Sequence, residues 1–179
     1  MTKGRSFSAA ALAVGTFILA GCAGYHAGPI KPTPMANVKT LAVQTFKNDT
    51  LEPRIEVLLA NTVIKQLQQD GTYKIAREDV ADAILEATLT EIERKSARSV
   101  RGNALLSREY DLILRVRYRV VDRITGKELE GRAVNGRTSF FVSGSNALAA
   151  DVNQDERQAL PIAAEDLATR LVSQISEGW

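Results

Sequence analysis

Tyr110-Asp111-Leu112-Ile113-Leu114-Arg115-Val116-Arg117-Tyr118-Arg119-Val120-Val121 changes character at almost every step. Tyr110, Leu112, Leu114, Val116, Tyr118 and Val120 fall on one side of an extended chain, and Asp111, Ile113, Arg115, Arg117 and Arg119 fall on the other. Side chains of a strand point alternately to its two faces, so this period of two predicts a strand with one apolar and one polar face. A sheet built around it rests one face on a core and offers the other to water or to a partner. Asp122-Arg123-Ile124-Thr125-Gly126-Lys127 follows and reads as a hairpin turn, with Gly126 able to take positive φ. The return strand is expected to reach about Val142, irregular at Gly131 and Gly136, before a loop from Ser143 to Asn146.

Upstream of this hairpin, Ala83, Leu85, Ala87 and Leu89 alternate with Glu86, Thr88 and Thr90, which predicts a strand over about 83–96. Its far end, Glu91 to Arg98, is densely charged and reads as solvated, and residues 97–107 read as a loop around Gly102 and Asn103. Earlier still, Val38 to Phe46 reads as a strand carried by Leu41 and Val43. Lys47-Asn48-Asp49-Thr50 is a turn, and Thr50 is placed to cap a helix with Pro53 in its first turn. Ile55, Leu58, Leu59, Val63 and Leu67 form the stripe of that helix, which runs to about Asp70 and ends at Gly71. Tyr73 to Ala76 is a short strand, followed by a turn at Asp79 to Asp82. The chain closes with a helix from about Asp155 to Glu177, striped by Leu160, Ala164, Leu167, Leu171 and Ile175, with Val172 and Trp179 widening the stripe. Pro161 should either kink this helix or mark its true start. The order is β-α-β-β-β-β-α, or β-α-β-β-β-α if the Tyr73 strand runs on into the next around a bend. Two amphipathic helices need one apolar surface to cover. The expected fold is therefore α+β, a two-layer sandwich with a mostly antiparallel sheet of about four strands under two helices.

At the other end of the chain, Lys3 and Arg5 precede an apolar run from Phe7 to Ala20, which meets Leu19-Ala20-Gly21-Cys22. Basic start, short apolar run and small residues before a Cys are the pattern of a lipoprotein signal, cleaved ahead of a lipidated Cys22. The run is short for a span, which takes roughly 20 apolar residues. Residues 1–21 then form the signal peptide. Residues 22–37, with Gly24, Gly28, Pro32 and Pro34, form a flexible tether, and 38–179 form the domain. Ala23 stands where enteric-type sorting would need Asp to retain the protein at the inner membrane, which favours the outer membrane.

The chain has 179 residues, 45% hydrophobic and 25% charged, as expected of a single globular domain. Its formal charge of +2 includes Lys3 and Arg5, so the chain from Cys22 onward is formally neutral. Global attraction to nucleic acid is thus unsupported. With the only Cys lipidated and the only His, His26, in the tether, the domain offers no Ser-His or Cys-His pair and no Cys/His zinc cluster. The glycines form no phosphate-binding loop. The acid pairs Glu91/Glu93 and Glu128/Glu130 suit acid/base work, but at alternate strand positions they suit a solvated face better. The expectation is a protein without catalytic activity, cofactor or metal.

Charge is unevenly placed. Arg94, Lys95, Arg98, Arg101, Arg108, Arg115, Arg117 and Arg119 crowd one region against Glu109 and Asp111 alone. The last helix region is acidic, with Asp151, Asp155, Glu156, Glu165, Asp166 and Glu177 against Arg157 and Arg170. Arg115, Arg117 and Arg119 share one strand face and repel unless acids or anionic groups lie between them. Two readings stand open. The row is a solvated face paired with Glu128, Glu130 or the strand of Glu86, or it is a surface for anionic headgroups or an acidic partner. Arg115, Arg117 and Arg119, with Arg98 and Arg101 beside them, are the candidate binding residues.

With these elements placed, the chain resembles the LptE family of lipopolysaccharide-assembly lipoproteins. The segments that carry the resemblance are Gly21-Cys22-Ala23-Gly24-Tyr25-His26 and Leu41 to Thr50 followed by Glu52-Pro53. Ala81-Asp82-Ala83-Ile84-Leu85, Asp122 through Thr125-Gly126-Lys127-Glu128-Leu129 and the terminal Ala168 to Trp179 complete it. The resemblance implies an α+β domain on the periplasmic side of the outer membrane, lipid-anchored through Cys22. It also implies a complex with the β-barrel LptD, which the domain partly plugs, and contact with lipopolysaccharide. It does not fix the Arg row, which rests on strand alternation alone. The rival from another class is a periplasmic regulatory or secretion lipoprotein of the LpoB or CsgG type. These also carry a lipobox and an early strand ending in Phe-x-Asn-x-Thr.

Overall fold

The alternating stretch becomes the middle of a three-strand meander. Ala83–Arg98 (β4), Arg108–Asp122 (β5) and Glu128–Val142 (β6) are antiparallel neighbours. Before them come Thr40–Val43 (β1), Lys47–Asn48 (β2), the helix Ile55–Asp70 (α1) and Lys74–Ile75 (β3), and after them the helix Ala149–Glu177 (α2). The computed structural model describes residues 31–98, 108–142 and 149–177. The signal, Cys22, His26, the first part of the tether, Arg101, the Ser143–Asn146 loop and Trp179 lie outside the described residues.

The α+β class and the two covering helices are as expected, but the sheet differs. It has six strands in the order β3-β1-β4-β5-β6, with β2 also on β4, rather than about four. It is mixed, because β1 pairs in parallel with both β3 and β4, and β2 pairs in parallel with β4. The cause is α1. A helix inserted between β1 and β3 carries the chain back to the starting end of the sheet, so the next strand runs the same way. β3 is accordingly a separate strand beside β1, not the beginning of β4.

The expected Val38–Phe46 strand is split. β1 ends at Val43 and pairing with β4 resumes at Lys47 and Asn48. Strict alternation also fails in β1, because Leu41 and Ala42 are both buried. Leu41 joins the main core, while Ala42 packs with Ala81 and Ile84 in a second small cluster. A strand covered on both faces has little reason to keep a polar one.

α1 begins at Ile55 without a side-chain cap, behind Arg54 in the left-handed region at φ 64°. Thr50, expected as its cap, instead donates its hydroxyl to Asn48 Oδ1 at 2.7 Å. Asn48 in turn donates to the Glu52 carbonyl oxygen at 2.8 Å and to Glu56 Oε2 at 3.1 Å, so the Asn organises this corner. Gly71 ends the helix as expected, at φ 75°, its N–H donating to the Leu67 carbonyl at 3.0 Å.

Both helices lie on one apolar layer. Ile55, Leu59, Val63 and Leu67 of α1 and Ala163, Ala164, Leu167, Leu171 and Ile175 of α2 share a cluster with Leu85, Leu89, Leu112, Leu114, Val116, Tyr118 and Val120. α2 starts at Ala149, ahead of the expected Asp155, and holds Pro161 in its interior. Gly136 is more than an irregularity. A Cβ there would fall on the Ala163 carbonyl oxygen and on Leu167, whose backbone nitrogen would be 2.8 Å away, so its absence lets the helix rest on β6.

Two polar or tether segments also reach this layer. Arg94 turns to the helix side and donates to the buried Glu156 of α2 at 2.6 Å. The end of the Pro-rich tether is packed as well: Met35 is fully buried and Lys31 donates to the Val38 carbonyl at 2.6 Å while lying over the Tyr73 ring. Among the described residues no helix is long and apolar enough to cross a membrane.

Candidate functional site

The face of the meander away from the helices carries the polar half of each alternation. Its rungs follow from the register. Glu86 of β4, Arg119 of β5 and Gly131 of β6 lie side by side, and the next rung is Lys47, Thr88, Arg117 and Ala133, spanning β2 to β6. Arg115 stands one rung further, between Glu91 and Asn135. The three candidate arginines are therefore brought together on one face. Arg98 ends β4, and its side chain falls outside the described part, as does all of Arg101.

The three are not equivalent. Arg119 donates from Nε to Glu86 Oε2 at 2.8 Å and from Nη2 to the same oxygen at 2.7 Å. Arg115 reaches Glu91 at 3.1 Å and Glu93 at 2.7 Å. The hydrogen bond to Glu93 holds the Arg115 guanidinium above its usual range. Lys95, then Arg115, hold the Glu93 carboxyl below the usual carboxylate range. For these two arginines the solvated, acid-paired reading is the one realised, with the strand of Glu86 supplying the acids. Glu130 goes elsewhere, to Arg132 at 2.7 Å. The acid pair Glu91/Glu93 thus serves as an arginine clamp.

Arg117 differs. It is exposed, and among the described residues it has no ion pair and no side-chain hydrogen bond. Two strands away on the same rung stands Lys47, also exposed and also without an ion pair among the described residues. Strands lie about 4.8 Å apart, so the two backbones are roughly 10 Å apart and their long side chains can reach one group between them. Thr88 lies between them in register. The rung forms the floor of a trough of about 460 Å³, bounded by Thr45 on one side and by Glu86, Arg119 and Glu128 on the other. Arg117 and Lys47 turn N–H donors into this trough, with the Thr88 hydroxyl between them and the carboxylates of Glu86 and Glu128 at its border. Lys47 was not legible as a site residue, because only the parallel pairing of β2 with β4 brings it beside Arg117.

Among the described residues no group of three or more His, Cys, Asp or Glu is placed to hold a metal ion.

A family model described as lipopolysaccharide-assembly, LptE, matches residues 38–175. No curated protein matches the chain. Among solved structures, a hypothetical protein from Chlamydia trachomatis is similar over 78% of this chain and 96% of its own, at 11% identity and a TM-score of 0.51. A putative neuraminyllactose-binding hemagglutinin homolog from Helicobacter pylori is similar over 79% of this chain and 88% of its own, at 9% identity and a TM-score of 0.51. A minor lipoprotein from Acinetobacter baumannii is 21% identical over 78% of this chain and 93% of its own, with a TM-score of 0.49. The first two show a shared fold.

Proposed function

Because the chain belongs to the LptE family of lipopolysaccharide-assembly proteins, we propose that it is a lipid-anchored component of the lipopolysaccharide transport machinery of the outer membrane. In this reading residues 1–21 are removed, Cys22 carries the lipid, and the following residues tether the domain on the periplasmic side. The domain plugs and supports an LptD-type β-barrel and contacts lipopolysaccharide. It acts by binding and has no catalytic role.

The observation that carries the reading is the open polar face of the meander, with Arg117 and Lys47 at its centre and without an ion pair among the described residues. A barrel lumen is polar, and a plug needs a polar surface to meet it. Phosphate groups and acidic wall residues are the natural acceptors for a free guanidinium and a free ammonium. Arg115 and Arg119 contribute shape, since Glu86, Glu91 and Glu93 already hold their charge.

The test is affinity purification of the tagged full chain from its own cells. A large outer-membrane barrel should co-purify. Recovery of a peptidoglycan synthase alone, or of a self-assembled ring, would sink the reading and favour the LpoB or CsgG type. The doubly changed Lys47→Ser, Arg117→Ser protein should fold and bind lipopolysaccharide or the barrel at least about tenfold more weakly, the loss expected from a charge-assisted contact. Unchanged binding would return the trough to an ordinary solvated face.

A further inference from the structure

β6 ends the sheet. The opposite edge, β3, has two residues, whereas β6 has fifteen. A long edge strand presents a row of unpaired backbone N–H and C=O groups. Here the register identifies them. Arg137 stands opposite Ile113 of β5, yet its N–H donates to Asp166 Oδ2 of α2 at 2.9 Å. In an antiparallel ladder, hydrogen-bonded and non-hydrogen-bonded pairs alternate. Gly131, Ala133 and Asn135 therefore also turn their backbone groups away from β5. Among the described residues nothing accepts from the N–H groups of these three. Beside them a groove of about 460 Å³ runs between β6 and α2, with Ala133, Asn135 and Arg137 on one wall and Thr169, Arg170 and Ser173 on the other.

We propose that this groove is a strand-addition site. An extended, acid-bearing segment of a partner protein pairs with Gly131 to Asn135 and lies between β6 and α2. The Asp166 carboxylate already sits on the outward N–H of Arg137, where an incoming strand would place a carbonyl oxygen. It marks one end of the open stretch and shows that the edge takes an oxygen acceptor. The charge of the rim selects the occupant. Arg137 is exposed and has no ion pair among the described residues, and Arg170 lines the helix wall, held by Asp166 at 2.9 Å. Since Asp166 neutralises Arg170, the excess positive charge of the rim is that of Arg137, which suits a Glu or Asp of the incoming strand beside it. This site adjoins the trough, whose lining also includes Gly131 and Ala133, but it opens on the other side of β6 and does not depend on the reading given for the trough.

The probe is a short fluorescein-labelled peptide of alternating valine and glutamate, followed by fluorescence anisotropy on the full chain at fixed ionic strength. Saturable binding with Kd below about 1 mM is expected, and at least about tenfold weaker binding when lysine replaces glutamate. N-methylation of one alternating set of peptide nitrogens should abolish binding, and methylation of the other set should spare it, because only one set faces β6. Ala133→Pro removes an outward N–H without touching the β5 ladder and should weaken binding about tenfold. Arg137→Glu should reverse the preference from glutamate to lysine. The proposal is overturned by an absence of saturable binding or by equal effects of the two methylation sets. It is also overturned by a concentration-dependent dimer that Ala133→Pro abolishes, which would assign the edge to a second copy. If Ala133→Pro does not fold, the methylated peptides decide the matter on the unmodified protein.

Discussion

At Tyr73 a single hydroxyl joins two parts of the chain a hundred residues apart, donating to the Ile175 carbonyl at 2.7 Å. Burial, then the nearby Asp70 carboxylate, push its pKa up to about 12. Burial also raises Tyr118, whose hydroxyl donates to Gln174 Oε1 at 3.0 Å. An unfolded tyrosine titrates near 10. A raised folded value means that stability is complete below about pH 10 and is lost as the pH climbs through the folded value, because the unfolded chain gives up its protons first. Urea unfolding between pH 9 and about pH 12 should therefore show falling stability, and Tyr73→Phe should flatten part of that fall; an unaltered slope would exclude Tyr73 as its source. At this scale some positions were legible and others were not. Gly71 and Gly126, at φ 75° and 68°, were readable because few residues but glycine take that backbone readily. Arg54 at φ 64° was not, since nothing in an arginine announces the left-handed region. Thr50 was misread as a cap because a hydroxyl serves a turn as well as it serves a helix, and only the geometry of Asn48 decides which.

Among the elements, α2 comes against β6 at Gly136, where there is no room for a side chain. Gly136→Ala should lower stability by about 1–3 kcal/mol, because its Cβ would meet backbone that cannot turn aside. Thermal unfolding measures this, and a neutral result would mean that α2 can lift from the sheet at little cost. Further along the same helix, Arg94 and Glu156 tie β4 to α2. Removing the cation leaves a carboxylate that is 4% exposed without its charge partner, so Arg94→Ala should cost about 3 kcal/mol. Glu156→Gln keeps a hydrogen-bond acceptor and should cost less. If the two variants prove equally mild in urea unfolding, the pair is only incidental to the packing. The period of two in β4 and β5 and the stripe of α1 were plain in the sequence, because each is a local pattern. The early start of α2 at Ala149 was not, since Pro161 suggested a boundary that the packed helix overrides. Nor was the inward turn of Arg94 legible, because its partner lies 62 residues away.

For the molecule as a whole, the α+β class and its two layers could be read from alternation and helical stripes, while the mixed pairing could not, because parallel and antiparallel strands share the same period. The candidate site was half legible for the same reason. The row of arginines was visible, but its neutralisation at Arg115 and Arg119 depends on acids more than twenty residues earlier, and the free pair of Arg117 with Lys47 depends on how β2 joins the sheet. That mixed pairing also bears on the order in which the chain assembles. β4, β5 and β6 join neighbours in sequence and can zip together without waiting for other parts, whereas β1 lies between β3 and β4 and must wait for both. Contacts across short loops form first, so the nucleus is expected in the meander. Val116→Ala should slow refolding, giving a φ-value above about 0.5, and Leu41→Ala should mainly hasten unfolding, with a φ-value near ~0. Stopped-flow chevrons measure both, and a high value at Leu41 would reverse the order. The earliest-made strand is then the last to be seated, and the N-terminal part of the fold remains an empty slot until the C-terminal part has built one of its walls.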